Sequence, residues 1–273
     1  MPGTFDIVRC RDCGARQTHP APADLSPWYA PEVYAPHQEG GPPLRAPGAW
    51  SQDGRILPDL PRGALVLELG CGRGDFLRLA LARGWRVEGV EPAPAAAAIA
   101  RRTGALVHER PIESAALPAG AYDAVFGWMV VEHLERPVET MKTVARLLRP
   151  GGMFLISVPD AGSWEFSAFG PRWYALHCPV HLTHFDRFSL ARALRTAGLR
   201  PVFWRWQRNG LNLVGSLGIL LEDAGAPAAG RLLRQYPDKT NRWVNAALYP
   251  LACILSALRW GGRMDVISRR DGR

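Results

Sequence analysis

Leu65-Val66-Leu67-Glu68-Leu69-Gly70-Cys71-Gly72-Arg73-Gly74 is the stretch that decides the fold. Its first five residues form a short, mostly apolar run, the pattern of a strand buried on both faces, and the run stops at alternating glycines. Downstream, Phe76, Leu77, Leu79, Ala80 and Leu81 give one apolar helical face over residues 75–83, and Gly84 supplies the stop. Residues 85–91 then read as a second strand, which completes a strand-helix-strand unit.

The alternation continues toward the C-terminus. An alanine-rich helix is predicted over 94–102 and strands over 105–109 and 122–129. A helix over 137–149 begins with proline in its first turn and ends at Pro150-Gly151-Gly152. A fifth strand follows over 153–158. Alternation of this kind predicts an α/β fold, a doubly wound, mainly parallel sheet with helices on both faces. Beyond Pro159 come the aromatics Trp164, Phe166, Phe169, Trp173 and Tyr174, then a histidine group, a helix over 189–197 and a strand over 201–206. Residues 209–262 are hydrophobic and helical in pattern, with breaks near 225–230 and at Pro237, and 264–268 offers a last strand. Upstream, the prolines between Pro20 and Pro61 predict an extended arm with short helices. The expected organisation is an arm over 1–60, a core over 61–208 that includes a substrate loop at 160–187, a helical insertion or cap over 209–262, and the last strand and tail over 263–273.

Composition narrows the function classes. With 47% hydrophobic and 21% charged residues in 273, the chain is that of a folded globular protein. The net charge of +8 comes almost entirely from arginine, Lys142 and Lys239 being the only lysines, and no dense basic run is present to follow a phosphate backbone. Nucleic acid is therefore not an expected partner. Five scattered cysteines and no charged segment leading into an apolar run at the start point to the cytoplasm. The longest apolar stretch, 246–258, is shorter than the roughly 20 residues a transmembrane helix needs. A stretch that is apolar all round is expected to be buried or paired, so a homodimer contact or a lid is favoured there over peripheral membrane contact.

The glycine turn lets a ligand approach the backbone closely, and Glu91, at the end of the second strand, stands where such sheets bind ribose hydroxyls. A dinucleotide fingerprint would want glycine three residues after its second glycine. Asp75 occupies that position, and its carboxylate would repel a pyrophosphate at the helix N-terminus. S-adenosylmethionine carries ribose and adenine but no phosphate, and its cationic groups favour carboxylates such as Glu68.

The stretch 67–74 resembles the first motif of the class I S-adenosylmethionine-dependent methyltransferases. Glu91-Pro92, Tyr122-Asp123-Ala124-Val125, Val131-Glu132-His133-Leu134 and Leu148-Arg149-Pro150-Gly151-Gly152 extend the likeness over 65–159. Pro179-Val180-His181-Leu182-Thr183-His184-Phe185 and Cys10-Arg11-Asp12-Cys13 are similar to a bacterial branch of small-molecule enzymes with an N-terminal cysteine pair. The resemblance implies a Rossmann-like seven-stranded sheet and methyl transfer to oxygen, nitrogen or carbon of a small-molecule acceptor. It also implies that Glu68, Gly70, Gly72 and Gly74 line the methionine end of the cofactor, that Glu91 holds the ribose, that Ile112 and Glu113 flank adenine, and that Trp128 and Met129 close the methyl side.

Methyl transfer needs a base only for a weakly nucleophilic acceptor, and His133, His184 and His181 are the candidates, since imidazole accepts a proton near neutral pH. Some relatives bind a metal through a Glu-x-x-Glu-His pattern, but Met129 stands where the first carboxylate would be, so metal assistance is not expected. Cys10 and Cys13 have the spacing of a structural zinc pair and lack a second pair, leaving His19 or an upstream segment to complete four ligands. Two readings compete with methyl transfer. One is an NAD-dependent oxidoreductase, disfavoured by Asp75, and the other a non-catalytic binding module with a vestigial cofactor site.

Overall fold

The computed structural model describes residues 4–29, 57–208, 210–237 and 242–271. Asp6–Arg9 (β1), Arg16–His19 (β2) and the helical turn Ser26–Tyr29 (α1) precede Leu65–Leu69 (β3), Asp75–Ala82 (α2), Arg86–Val90 (β4), Pro94–Arg101 (α3) and Leu106–His108 (β5). Tyr122–Trp128 (β6), Pro137–Leu147 (α4), Leu148–Pro159 (β7), Trp164–Phe169 (α5), Thr183–His184 (β8), Arg187–Thr196 (α6) and Leu199–Trp206 (β9) follow. Leu211–Asp223 (α7), Pro227–Arg234 (α8), Arg242–Ala257 (α9) and Arg263–Arg270 (β10) complete the chain.

Seven strands form one sheet in the order β5-β4-β3-β6-β7-β10-β9, with only β10 antiparallel to its neighbours. Alternate residues of each central strand serve opposite faces. Leu67, Leu69, Val125 and Ile156 pack under Met141, Val144 and Leu147 of α4 and Leu190 and Leu194 of α6. Val66, Phe126 and Leu155 pack under Phe76, Leu77 and Ala80 of α2 and Ala97 and Ala100 of α3. Burial on both faces explains why these strands read as continuous apolar runs. The strand order reverses between β3 and β6, so the crevice for a ligand opens at their carboxyl ends.

Three features differ from the expectations. The helix expected over 137–149 ends at Leu147, and β7 begins at Leu148 rather than at residue 153. Tyr122 pairs with Leu148 but Ala124 with Met153, so the Pro-Gly-Gly segment is a slip within a strand and not a loop before it. The expected extended arm opens instead as a hairpin. β1 pairs with β2 ahead of Pro20, and β2 pairs in turn with β8, placing Arg16 opposite His184 and Gln17 opposite Thr183. The arm's residues 30–56, with half of its prolines, lie outside the described residues. Finally, of the two settings expected for α9, buried or paired, the single chain does not provide burial, because Trp243, Tyr249, Leu251 and Ile254 are exposed.

Candidate functional site

The crevice at the switch point is built from three segments. Glu68, near the end of β3, is 4% exposed. At Gly70, with φ +64°, an added Cβ would lie 2.7 Å from Val130 Cγ2, so only glycine lets the turn after β3 meet the turn after β6. At Gly72, with φ +52°, an added Cβ would meet nothing within 4 Å, which leaves bare backbone facing open space. Gly74 caps α2 in the left-handed conformation. The buried Glu91 accepts the backbone N–H of Gly72 at 2.8 Å and that of Ala93 at 2.9 Å, tying the end of β4 to the glycine turn. Burial first, then the nearby carboxylates of Glu68 and Glu91, push the Cys71 thiol well up.

The remaining predicted cofactor residues surround this crevice unevenly. Ile112 is buried in the core with Leu69 and Val90. Glu113 turns outward and accepts a short hydrogen bond from Thr140 Oγ1. Trp128 packs its ring against Phe76 and Phe126, on the α2 side of the sheet. Met129 takes φ +57°, a left-handed backbone rare outside glycine, and so turns the chain sharply at the end of β6.

The histidines separate into two environments. The ring of His133 meets that of His181 edge-on at 4.6 Å, and its Nδ1 lies 2.8 Å from the Tyr29 hydroxyl. His181 is buried, and its Nδ1 lies 2.9 Å from the carbonyl of Ala175. A carbonyl can only accept, so Nδ1 carries the proton and Nε2 presents a lone pair. Burial first, then the neighbouring His133 and His177, hold His181 well below the usual imidazole range. Glu132, quoted in the sequence only as part of the Val131-Glu132-His133-Leu134 motif and given no role of its own, lies with His133 and His181, one ligand atom of each within 4.8 Å of the others. It is 1% exposed, neither carboxylate oxygen has a hydrogen-bond partner among the described residues, and burial pushes its carboxyl up to about 8.

His184 stands apart from this cluster, in β8 against β2. Thr18 Oγ1 donates its one proton to the His181 carbonyl at 2.7 Å, so at 2.9 Å it can only accept from His184 Nε2. That nitrogen therefore carries a proton and cannot serve as a base. Burial and Arg16 lower the His184 imidazole to about 4.

A groove of about 940 Å³ runs past this region. It is lined by the three segments of least regular pattern: Phe5 and Trp28 from the arm, Trp173 and His177 from the loop after β7, and Ile219 from the insertion. His177 in turn meets the His181 ring edge-on at 5.1 Å. Sequence reasoning gave no sign of Tyr29 or His177, because neither lies in a recognisable pattern.

Cys10 and Cys13 sit in the turn of the β1–β2 hairpin. Hydrogen bonds from the backbone of Cys13 and Asp12 lower the Cys10 thiol. His19 pairs with Asp6 at the opposite end of the hairpin, about 10 Å away at the usual rise per residue, and so cannot complete a zinc site with them. Among the described residues no third ligand atom joins the pair.

The family described as a methyltransferase domain matches residues 51–202. A ubiquinone biosynthesis O-methyltransferase of Xanthomonas axonopodis pv. citri (strain 306) is 33% identical over 155 residues, covering 51% of this chain and 64% of that protein. A malonyl-[acyl-carrier protein] O-methyltransferase of Serratia marcescens is 33% identical over 125 residues, covering 45% and 48%. The chain thus spans about half to two thirds of the length of these two curated relatives. Among solved structures, an S-adenosylmethionine-dependent methyltransferase from Listeria monocytogenes superposes with a TM-score of 0.54 at 18% identity, covering 83% of this chain and all of the other.

Proposed function

The chain belongs to the methyltransferase-domain family, and on that premise we propose that it transfers a methyl group from S-adenosylmethionine to a hydroxyl of a small-molecule acceptor. The observation that carries this reading is the crevice, where the bare backbone at Gly72 and the buried carboxylates of Glu68 and Glu91 suit a cationic nucleoside and oppose a phosphate. Asp75, in the first turn of α2, works in the same direction against a dinucleotide. The O-methyltransferase names of the two curated relatives support oxygen as the acceptor atom.

When bound, S-adenosylmethionine supplies a methyl carbon activated for in-line displacement by a positively charged sulfur. The protein's share is alignment, exclusion of water and management of one proton. Glu91 would hold the ribose hydroxyls, Glu68 would face the cationic end with Gly70, Gly72 and Gly74, Ile112 and Glu113 would flank adenine, and Trp128 and Met129 would close the methyl side. His133 would take the acceptor's hydroxyl proton, its ring oriented by Tyr29 at Nδ1. The groove lined by Trp28, Trp173 and Ile219 would seat the body of the acceptor. In this reading 61–208 is the cofactor-binding core with its substrate loop, and 1–60 and 209–262 are the arm and cap that shape the acceptor site. No helix among the described residues is long and apolar enough to cross a membrane, and the five free cysteines fit a site of action in the cytoplasm.

Calorimetric titration with S-adenosylmethionine and with NAD tests the reading. Wild type is expected to bind the former, with Glu91→Ala and Gly72→Val each weakening it about tenfold or more, about 1.4 kcal/mol. Preference for NAD, or binding indifferent to both substitutions, would refute it.

A further inference from the structure

Met129 holds a backbone conformation that calls for an explanation. Its φ of +57° is strained for a residue with a Cβ, and such strain persists only where the surroundings impose it. Here the surroundings are Ser157, near the end of β7 and directly beside β6. The Ser157 carbonyl accepts the Met129 N–H at 2.9 Å, and the Ser157 hydroxyl donates to Met129 Sδ at 3.9 Å. Backbone and side chain of Met129 are thus held by one residue. Val130, the next in the chain, is the one that meets Gly70 of the glycine turn, so this grip is applied at the wall of the cofactor crevice.

The direction of the Ser157 hydroxyl is set from farther away. Gln207 Nε2 donates to Asp265 Oδ1 and to Ser157 Oγ, each at 2.7 Å, which uses both protons of that nitrogen. The opposite orientation of the amide would set its oxygen against the Asp265 carboxylate. Ser157 Oγ therefore accepts from Gln207, and its own single proton is left for Met129. These residues stand on four adjacent strands: Gln207 just after β9, Asp265 on β10, Ser157 on β7 and Met129 just after β6. Ser157 lies opposite Asp265 on one side and Trp128 on the other, so the bonds cross the sheet in a row from its β9 edge to the crevice. Gln207, Asp265 and Ser157 are all buried. Apolar side chains would fill this row without the cost of desolvating polar groups, so directed hydrogen bonding is what the row supplies.

We infer that Gln207 is a positioning residue for methyl transfer, which through Ser157 fixes the Met129 side chain against the methyl-bearing side of S-adenosylmethionine. The inference rests on the methyl-transfer reading, in which Trp128 and Met129 close that side. The transferred methyl is the part of the cofactor that the product S-adenosylhomocysteine lacks, so the row is felt by S-adenosylmethionine and not by the product. Gln207 also stands at the base of the insertion. Its N–H donates to the Arg263 carbonyl, where the chain returns to the sheet, and Ser256 of α9 donates to the carbonyl of the preceding Trp206. One end of the row is therefore anchored where the cap joins the sheet, and the other end is the wall beside the reacting carbon.

Calorimetric titration of the full chain with S-adenosylmethionine and with S-adenosylhomocysteine tests the role, the ratio of the two Kd values being the readout. Gln207→Met, close in shape but without a donor, and Ser157→Ala are each expected to weaken S-adenosylmethionine about three- to tenfold and to leave S-adenosylhomocysteine within about twofold. Because the two residues act in series, the double variant should move the ratio no further than either single one. Thr18→Val, which removes buried hydrogen bonds elsewhere, should lower the melting temperature and leave the ratio unchanged, which separates positioning from a general loss of stability. Should Gln207→Met fail to fold, Ser157→Ala and Met129→Leu carry the test, each moving the ratio in the same direction. A ratio unmoved in the folded variants, equal weakening of both ligands, or additive shifts in the double variant would overturn the inference while leaving the methyl-transfer reading in place. A wild type that binds neither ligand would refute that reading and the role of Gln207 with it.

Discussion

Thr18 has one hydroxyl proton and two neighbours that need it, and the geometry decides between them. By donating to the His181 carbonyl and accepting from His184, it joins the N-terminal hairpin to the histidine loop through a single buried atom. Thr18→Val keeps the shape and removes both bonds, leaving two buried groups unsatisfied, so a loss of about 2–4 kcal/mol is expected in thermal or urea denaturation. His184 gives the hairpin a pH dependence of calculable sign. Its imidazole titrates near 4 in the folded chain and near the ordinary 6.5 when unfolded, so the unfolded state binds the proton first. The stabilisation is complete above pH 6.5 and is lost as pH falls toward 4, about 3 kcal/mol in all. Urea titrations between pH 7 and pH 4.5 should show that decline as the difference between wild type and His184→Gln, which share the other buried titratable groups. A difference between the two proteins that stays level across this window would contradict the buried neutral imidazole.

Between elements, the closest approach in the cap is that of α7 to α8. A Cβ at Gly218 would lie 2.4 Å from the backbone nitrogen of Arg234, and one at Gly230 would lie 2.5 Å from Glu222 Cγ. Gly218→Val should therefore push α8 off α7 at a local cost of about 1–3 kcal/mol. The expected reading is faster limited proteolysis between residues 224 and 234, with the core's melting transition unchanged. The same scale shows where sequence reading succeeds and where it stops. β3, α2 and β4 were legible because period, breaker and burial agree there: apolar run, glycine turn, one-sided helix. The start of β7 was not, since Pro150-Gly151-Gly152 carries the local signature of a loop and only its pairing with β6 keeps Leu148 in the sheet. β8 is two residues long and exists because β2 lies beside it, so no local pattern could have announced it. The crevice at the switch point rests on two short local patterns, residues 68–74 and Glu91, each readable from the sequence alone. The meeting of Glu132, His133 and His181 is a product of tertiary structure and is not readable in that way.

Taken whole, the molecule divides its labour between a sheet that fixes the crevice and peripheral segments that enclose the neighbouring groove. The insertion containing α7, α8 and α9 leaves the sheet after β9 and returns at β10, and these two strands are paired neighbours. The Gln207 N–H reaches the Arg263 carbonyl at 3.0 Å, so the two ends of the insertion are clasped together at its base. Replacing residues 209–260 by a short glycine-asparagine turn is accordingly expected to keep the seven-stranded sheet and S-adenosylmethionine affinity within about tenfold. Turnover of the native acceptor should be lost, which calorimetry and product release would report separately. Topologically the insertion is the enlarged loop of one β-hairpin. Like any hairpin loop, it could be lengthened, shortened or exchanged at one locus without moving the strands that carry the crevice.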